Sequence, residues 1–125
     1  MYVLDSSAII ELVNGTENAD KITSVLGKEL LVTTSICMHE VLAGAESKKD
    51  KFVLENIFNG MHILDHTPAA AHIGAKIYQD LIKIGKKVNG MDVLIAAICQ
   101  TNNAALVTLD KDFERIKSIK TMIIS

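Results

Sequence analysis

The chain has 125 residues, 49% apolar and 22% charged, and thirteen Lys+Arg against fifteen Asp+Glu give a formal net charge of −2. Those proportions suit one folded domain with its own core and exclude a disordered chain. A mildly acidic balance excludes a general polyanion binder, and with no Trp and only 4% aromatic residues there is little for a base-stacking platform.

Tyr2-Val3-Leu4 is a β-prone run that stops at Asp5, where Ser6 and Ser7 offer helix caps. Helix is expected over Ala8 to Val13, ending at the Asn14-Gly15 turn, and again over Glu17 to Leu26 through Ala19, Ile22, Val25 and Leu26. Leu30 to Thr33 reads as a buried strand. Thr34 or Ser35 then caps a helix running to about Ala45, and another short helix opens at Lys48 and ends near Asn59-Gly60. Met61 to Leu64 is the third strand. Thr67-Pro68 starts a long helix carrying Ala71, Ile73, Ile77, Leu81 and Ile84, with Thr as cap and Pro at the first helical position. Residues 85–90 form a loop, and Asp92 to Gln100 is a helix apolar enough to be central. Ala105 to Thr108 is a strand, a short helix spans Asp112 to Ile116, and Thr121 to Ile124 closes the chain as a strand.

Strands that alternate with helices and are solidly apolar belong to a parallel sheet covered on both faces. The expected fold is therefore a single α/β domain over residues 1–125. No apolar run approaches the ~20 residues of a membrane span, and no signal peptide is visible, so a cytoplasmic protein is expected. Cys37 and Cys99 lie in apolar stretches and read as buried thiols. With four scattered His they give no zinc spacing.

In open parallel sheets, ligands bind beyond the carboxyl ends of the strands. Asp5 and Asp110 fall there. Two further carboxylates sit in apolar surroundings: Glu40 has Ile36, Cys37, Ala43 and Gly44 as its helical neighbours, and Asp92 has Ile95 and Ala96. A carboxylate on an apolar face must be protonated, paired or metal-bound, and no Arg or Lys stands within a turn of Glu40 to pair with it. Each residue also has a plainer reading. Asp5 and Asp92 could cap helices, and Asp110 and Asp112 could be turn and first-turn residues. Taken together, four converging carboxylates require a cation, and oxygen ligands without Cys or His select Mg²⁺ or Mn²⁺. Such a site suits phosphodiester hydrolysis by a metal-activated water. Lys83, Lys86 and Lys87, just before Asp92, are either a solvated helix end or contacts for substrate phosphates. There is no G-x-S-x-G elbow, no phosphate-binding G-x-x-x-x-G-K-[ST] loop and no G-x-G-x-x-G.

Val3-Leu4-Asp5-Ser6-Ser7-Ala8-Ile9-Ile10, Glu40-Val41-Leu42-Ala43-Gly44, Asp92-Val93-Leu94-Ile95-Ala96-Ala97 and Leu106-Val107-Thr108-Leu109-Asp110-Lys111-Asp112-Phe113 resemble, in order and spacing, the motifs of PIN-domain ribonucleases. A stand-alone chain of this length looks most like a VapC-type toxin of a toxin–antitoxin pair. The resemblance implies a five-stranded parallel sheet in the order 3-2-1-4-5. It implies a metal-binding triad of Asp5, Glu40 and Asp92, with Asp110 or Asp112 as a fourth acidic group and Ser6 and Thr108 as supporting hydroxyls. It further implies an Mg²⁺- or Mn²⁺-dependent endoribonuclease, a homodimer, and inhibition by a small VapB-like antitoxin. A housekeeping PIN nuclease of RNA maturation or decay, or a non-catalytic PIN-like binding module, is the alternative.

Overall fold

The computed structural model describes residues 1–87 and 89–125; Val88, within the expected 85–90 loop, lies outside them. Five short strands alternate with helices: β1 (Tyr2–Leu4), α1 (Ser6–Asn14), α2 (Glu17–Leu26), β2 (Val32–Thr34), α3 (Ser35–Ala43), α4 (Lys48–Asn59), β3 (His62–Leu64), α5 (Pro68–Lys83), α6 (Gly90–Thr101), β4 (Ala105–Thr108), a 3₁₀ turn (Lys111–Arg115) and β5 (Thr121–Ile123). All strand pairings are parallel, and the result is a three-layer α/β domain. Among the described residues no helix is long and apolar enough to cross a membrane.

The local signals act as expected at most boundaries. Thr16, Thr34, Ser47 and Thr67 each accept a backbone N–H from their helix's first turn, which satisfies one of the donors a helix start leaves unpaired. Gly15 ends α1 at φ 61°, a left-handed conformation that costs a side-chain-bearing residue energy. Other boundaries shift by one or more residues, and three of the differences bear on the site or the sheet. Strand β2 starts at Val32, because Leu30 is 82% exposed and Leu31 lies at the surface. Helix α6 starts at Gly90 with Asn89 as its cap, accepting from Met91 N at 2.9 Å. The expected helix over Asp112 to Ile116 is a single 3₁₀ turn beginning at Lys111.

The single five-stranded sheet in the order 3-2-1-4-5 is not formed. Backbone hydrogen bonding makes two separate ladders, β1-β4-β5 and β2-β3. Strands β1 and β2 touch, but the Leu4 carbonyl is taken by the buried Thr33 hydroxyl at 2.7 Å. That side-chain bond occupies the acceptor a β1–β2 ladder would need, and three-residue strands have few others to offer.

The core runs through the middle layer. Val3, Leu4, Leu106 and Val107 are fully buried, as are Ile95 and Ile98 of α6 and Ile9 and Ile22 of α1 and α2. Each such aliphatic side chain contributes roughly 1.5–3 kcal/mol relative to exposure. This burial fixes the phase of α6 and so decides where its first turn, carrying Asp92, must sit. The β1–β4 register pairs Leu4 with Val107, so the carboxyl ends of these two strands lie side by side.

Candidate functional site

Asp5 leaves the end of β1 with its backbone N–H on the Val107 carbonyl at 2.9 Å. It occupies the cap position of α1, but its side chain makes no cap bond, and Ser6 and Ser7 are residues of the first turn rather than caps. The carboxylate, 4% exposed, is aimed elsewhere. Its Oδ2 accepts from the Thr108 hydroxyl at 2.6 Å and the Ser7 hydroxyl at 3.2 Å. Both hydroxyls also accept backbone N–H groups, from Asp110 at 3.0 Å and Leu109 at 3.1 Å. Each hydroxyl has one proton, so accepting from the backbone leaves that proton for donation into the network around the carboxylate. The same bonds fix the turn that carries Asp110.

Glu40 projects from α3. Its Oε1 is buried and has no hydrogen-bond partner among the described residues. Burial and then the Asp5 charge raise its pKa, while the Ser6 hydroxyl and His39 pull the other way. Ser6 thus acts on Glu40, and it is Ser7 that reaches Asp5. Cys37, one helical turn before Glu40, is fully buried with its Sγ 3.7 Å from Asp5 Oδ1. Ligand atoms of Asp5, Cys37 and Glu40 all lie within 4.8 Å of one another. A sulfur thus stands beside the expected carboxylate oxygens in the same triangle. It entered unseen because Cys37 meets Asp5 only through tertiary packing. Burial first, then Asp5, pushes that thiol up to about 12, so it is a proton donor at neutral pH.

Asp92, Asp110 and Asp112 lie outside the triangle but within its field. Asp92 sits in the first turn of α6 and does not cap it. Its carboxyl is pushed up to about 7, mainly by burial and then by the charges of Asp110, Asp5, Glu40 and Asp112. Asp110 does act as a cap: its Oδ1 accepts from Asp112 N at 2.9 Å at the start of the 3₁₀ turn. Asp112 pairs with Arg115 at 3.5 Å, and Arg115 also donates to the Lys87 carbonyl at 2.9 Å. A small cavity lined by Lys87, Asn89, Asp92, Asp112 and Arg115 results. Of the three lysines singled out, Lys87 alone lines it; Lys83 ends α5 and Lys86 lies in the segment that follows, both exposed.

Asp5, Cys37 and Glu40 form a candidate metal-binding cluster. A buried carboxylate oxygen without a donor, beside a second carboxylate that raises its pKa, is relieved by a proton or by a cation.

This fold and acidic centre define a class. The family model described as "PIN domain" matches residues 2–119, and the chain belongs to the PIN-domain family and, within it, to the VapC-type toxins of toxin–antitoxin systems. It is similar to Ribonuclease VapC2 of Haemophilus influenzae, 30% identical over 96% of this chain and 95% of that one. It is also similar to the tRNA(fMet)-specific endonuclease VapC of Shigella flexneri, 23% identical over 96% of this chain and 95% of that one. Among solved structures, VapBC2 of Rickettsia felis bound to a DNA fragment from its promoter superposes with a TM-score of 0.86 at 22% identity, covering 99% of this chain and 98% of that one.

Proposed function

We propose that the protein is an Mg²⁺- or Mn²⁺-dependent endoribonuclease, the toxin of a pair whose small VapB-like antitoxin silences it. The observation that carries this reading is the buried, partnerless Oε1 of Glu40, a residue with a carboxylate oxygen within 4.8 Å of a ligand atom of Asp5. Two carboxylates in that position are stable together when a divalent ion lies between them. The ribonuclease activity in the names of its relatives supports the same chemistry.

Asp5 and Glu40 hold the ion, and Asp92 with Asp110 or Asp112 completes the acidic set. When bound, the ion supplies Lewis acidity at a phosphoryl oxygen and lowers the pKa of water. The protein's own groups do the rest. Thr108 and Ser7 anchor Asp5 through its Oδ2, so the site is largely formed before RNA arrives and little reorganisation is needed. Asp110 orients the attacking water in line with the scissile bond, and the products are a 5′-phosphate and a 3′-hydroxyl. Lys83, Lys86 and Lys87 contact flanking phosphates, which makes RNA affinity fall with salt. Beside Glu40, a groove of about 370 Å³ is walled by Ile10, Val13, Val41, Val53 and Leu54. It suits the apolar face of an antitoxin helix, whose seat there would close the acidic centre. The active form is a homodimer in the cytoplasm.

The test is cleavage of single-stranded RNA by purified wild type, Asp5→Asn and Glu40→Gln, with Mg²⁺, Mn²⁺ or EDTA. Wild type cleaves with either ion and not with EDTA. The variants keep their far-UV circular dichroism and lose activity by roughly 100-fold or more. Wild-type rates in Asp5→Asn would remove the assignment.

A further inference from the structure

The two oxygens of Asp5 are held very differently. Oδ2 takes the hydroxyls of Thr108 at 2.6 Å and Ser7 at 3.2 Å. Those hydroxyls are themselves pinned by the backbone N–H groups of Asp110 and Leu109. Oδ1 has one donor among the described residues, the Cys37 thiol at 3.7 Å. A thiol is a weak donor, so Oδ1 is the oxygen most readily given up to a cation.

Cys37 has little freedom. Its backbone N–H is held by the Thr34 hydroxyl at 3.0 Å, and its side chain is fully buried. Its spacing of three from Glu40 puts sulfur and carboxylate on one face of α3. Helix α3 thus presents Asp5 with one repulsive group, Glu40, and one attractive group, the thiol.

We propose that Cys37 is a positioning residue of the acidic centre: its thiol donates to Asp5 Oδ1 and holds that oxygen in place, as the oxygen a divalent cation takes. This rests on the reading of the centre as a cation site. Without the thiol, Oδ1 has no donor to offset the Glu40 charge, and the carboxylate turns about the bond its Oδ2 anchors. Partners that orient a metal ligand typically carry 10–100-fold in metal affinity, and a weak donor belongs at the low end, about tenfold.

The experiment compares Mn²⁺ binding by titration calorimetry in wild type, Cys37→Val and Cys37→Ser, beside the infrared S–H stretching band. Valine keeps the volume without the donor, and serine keeps a donor. Cys37→Val is expected to bind Mn²⁺ about tenfold more weakly, and Cys37→Ser to recover most of the loss. Cys37→Ala separates a merely structural role, since alanine fits the site without a donor: it is expected to bind Mn²⁺ as weakly as Cys37→Val, and wild-type affinity there would overturn the proposal. The thiol bands are read without altering Cys37: wild type carries two, Cys99→Ala identifies the one that belongs to Cys37, and that band is expected at lower frequency than the other, because hydrogen bonding weakens S–H. Bands at equal frequency would overturn the proposal even if the Cys37 variants failed to fold. Wild-type Mn²⁺ affinity in Cys37→Val would overturn it while leaving the metal site standing. If wild type itself takes up no Mn²⁺, the cation reading falls and the proposal falls with it.

Discussion

Asp92 shows what the crowding of carboxylates costs the protein. Its folded-state pKa of about 7 stands above its ordinary value of 3.8, through burial and then through its acidic neighbours. A raised acid binds its proton more tightly in the folded chain than in the unfolded one. The resulting stability is fully present below about pH 4 and is lost as pH rises through about 7. Asp92 is only partly buried, so solvent screening trims the effect to about 1–2 kcal/mol. Without added cation, the melting temperature is expected to fall between about pH 5 and pH 8, and Asp92→Asn should flatten that fall by roughly 3–8 °C. An unchanged pH slope in Asp92→Asn would show that the acidic neighbours do not act on it.

The residue scale is also where the sequence was most and least legible. Asp5 stood out because it follows a strand, and Glu40 and Asp92 because carboxylates in apolar runs need an explanation; the structure puts all three in one electrostatic neighbourhood. Ser7 did not stand out. Asp5-Ser6-Ser7 offers two hydroxyls, and only the helical phase of α1 decides that Ser7 turns to Asp5 and Thr108 while Ser6 turns to Glu40. Cys37 was legible as buried, but its contact with Asp5 crosses 32 residues and no local pattern carries it.

Elements are positioned by packing more than by their own propensity. Helix α5 lies against α6 through Gly74, where an added Cβ would stand 3.4 Å from Ala97 Cβ and 3.8 Å from Val93 Cγ1. An alanine fits at ordinary contact and gains helix propensity, so Gly74→Ala should be neutral or stabilising by up to about 1 kcal/mol. Gly74→Leu must push the helices apart and should cost about 1–3 kcal/mol in denaturant unfolding. Equal stabilities for the two variants would mean that this contact does not set the helix spacing. Because α6 carries Asp92, the same displacement reaches the acidic centre. Helix starts were legible at Thr34 and Thr67, but not at α1, where Ser6 and Ser7 lie in the first turn and Asp5 holds the cap position. The break between the ladders was not, because it turns on the Thr33 hydroxyl reaching the Leu4 carbonyl of another strand.

At the scale of the molecule, a chain of net charge −2 gathers much of its negative potential at one rim. Loops at the ends of three parallel segments bring the groups there: β1 supplies Asp5, β4 the turn to Asp110, and β2 leads into α3 with Cys37 and Glu40. Acidic groups so concentrated repel RNA as well as one another, so binding of substrate and of cation must be coupled. The most direct measurement is an anomalous difference map from a crystal of the protein grown with Mn²⁺. The expected result is a peak bonded to carboxylate oxygens of Asp5 and Glu40 at about 2.0–2.3 Å. A well-ordered centre with both side chains in place and no peak between them would contradict the account.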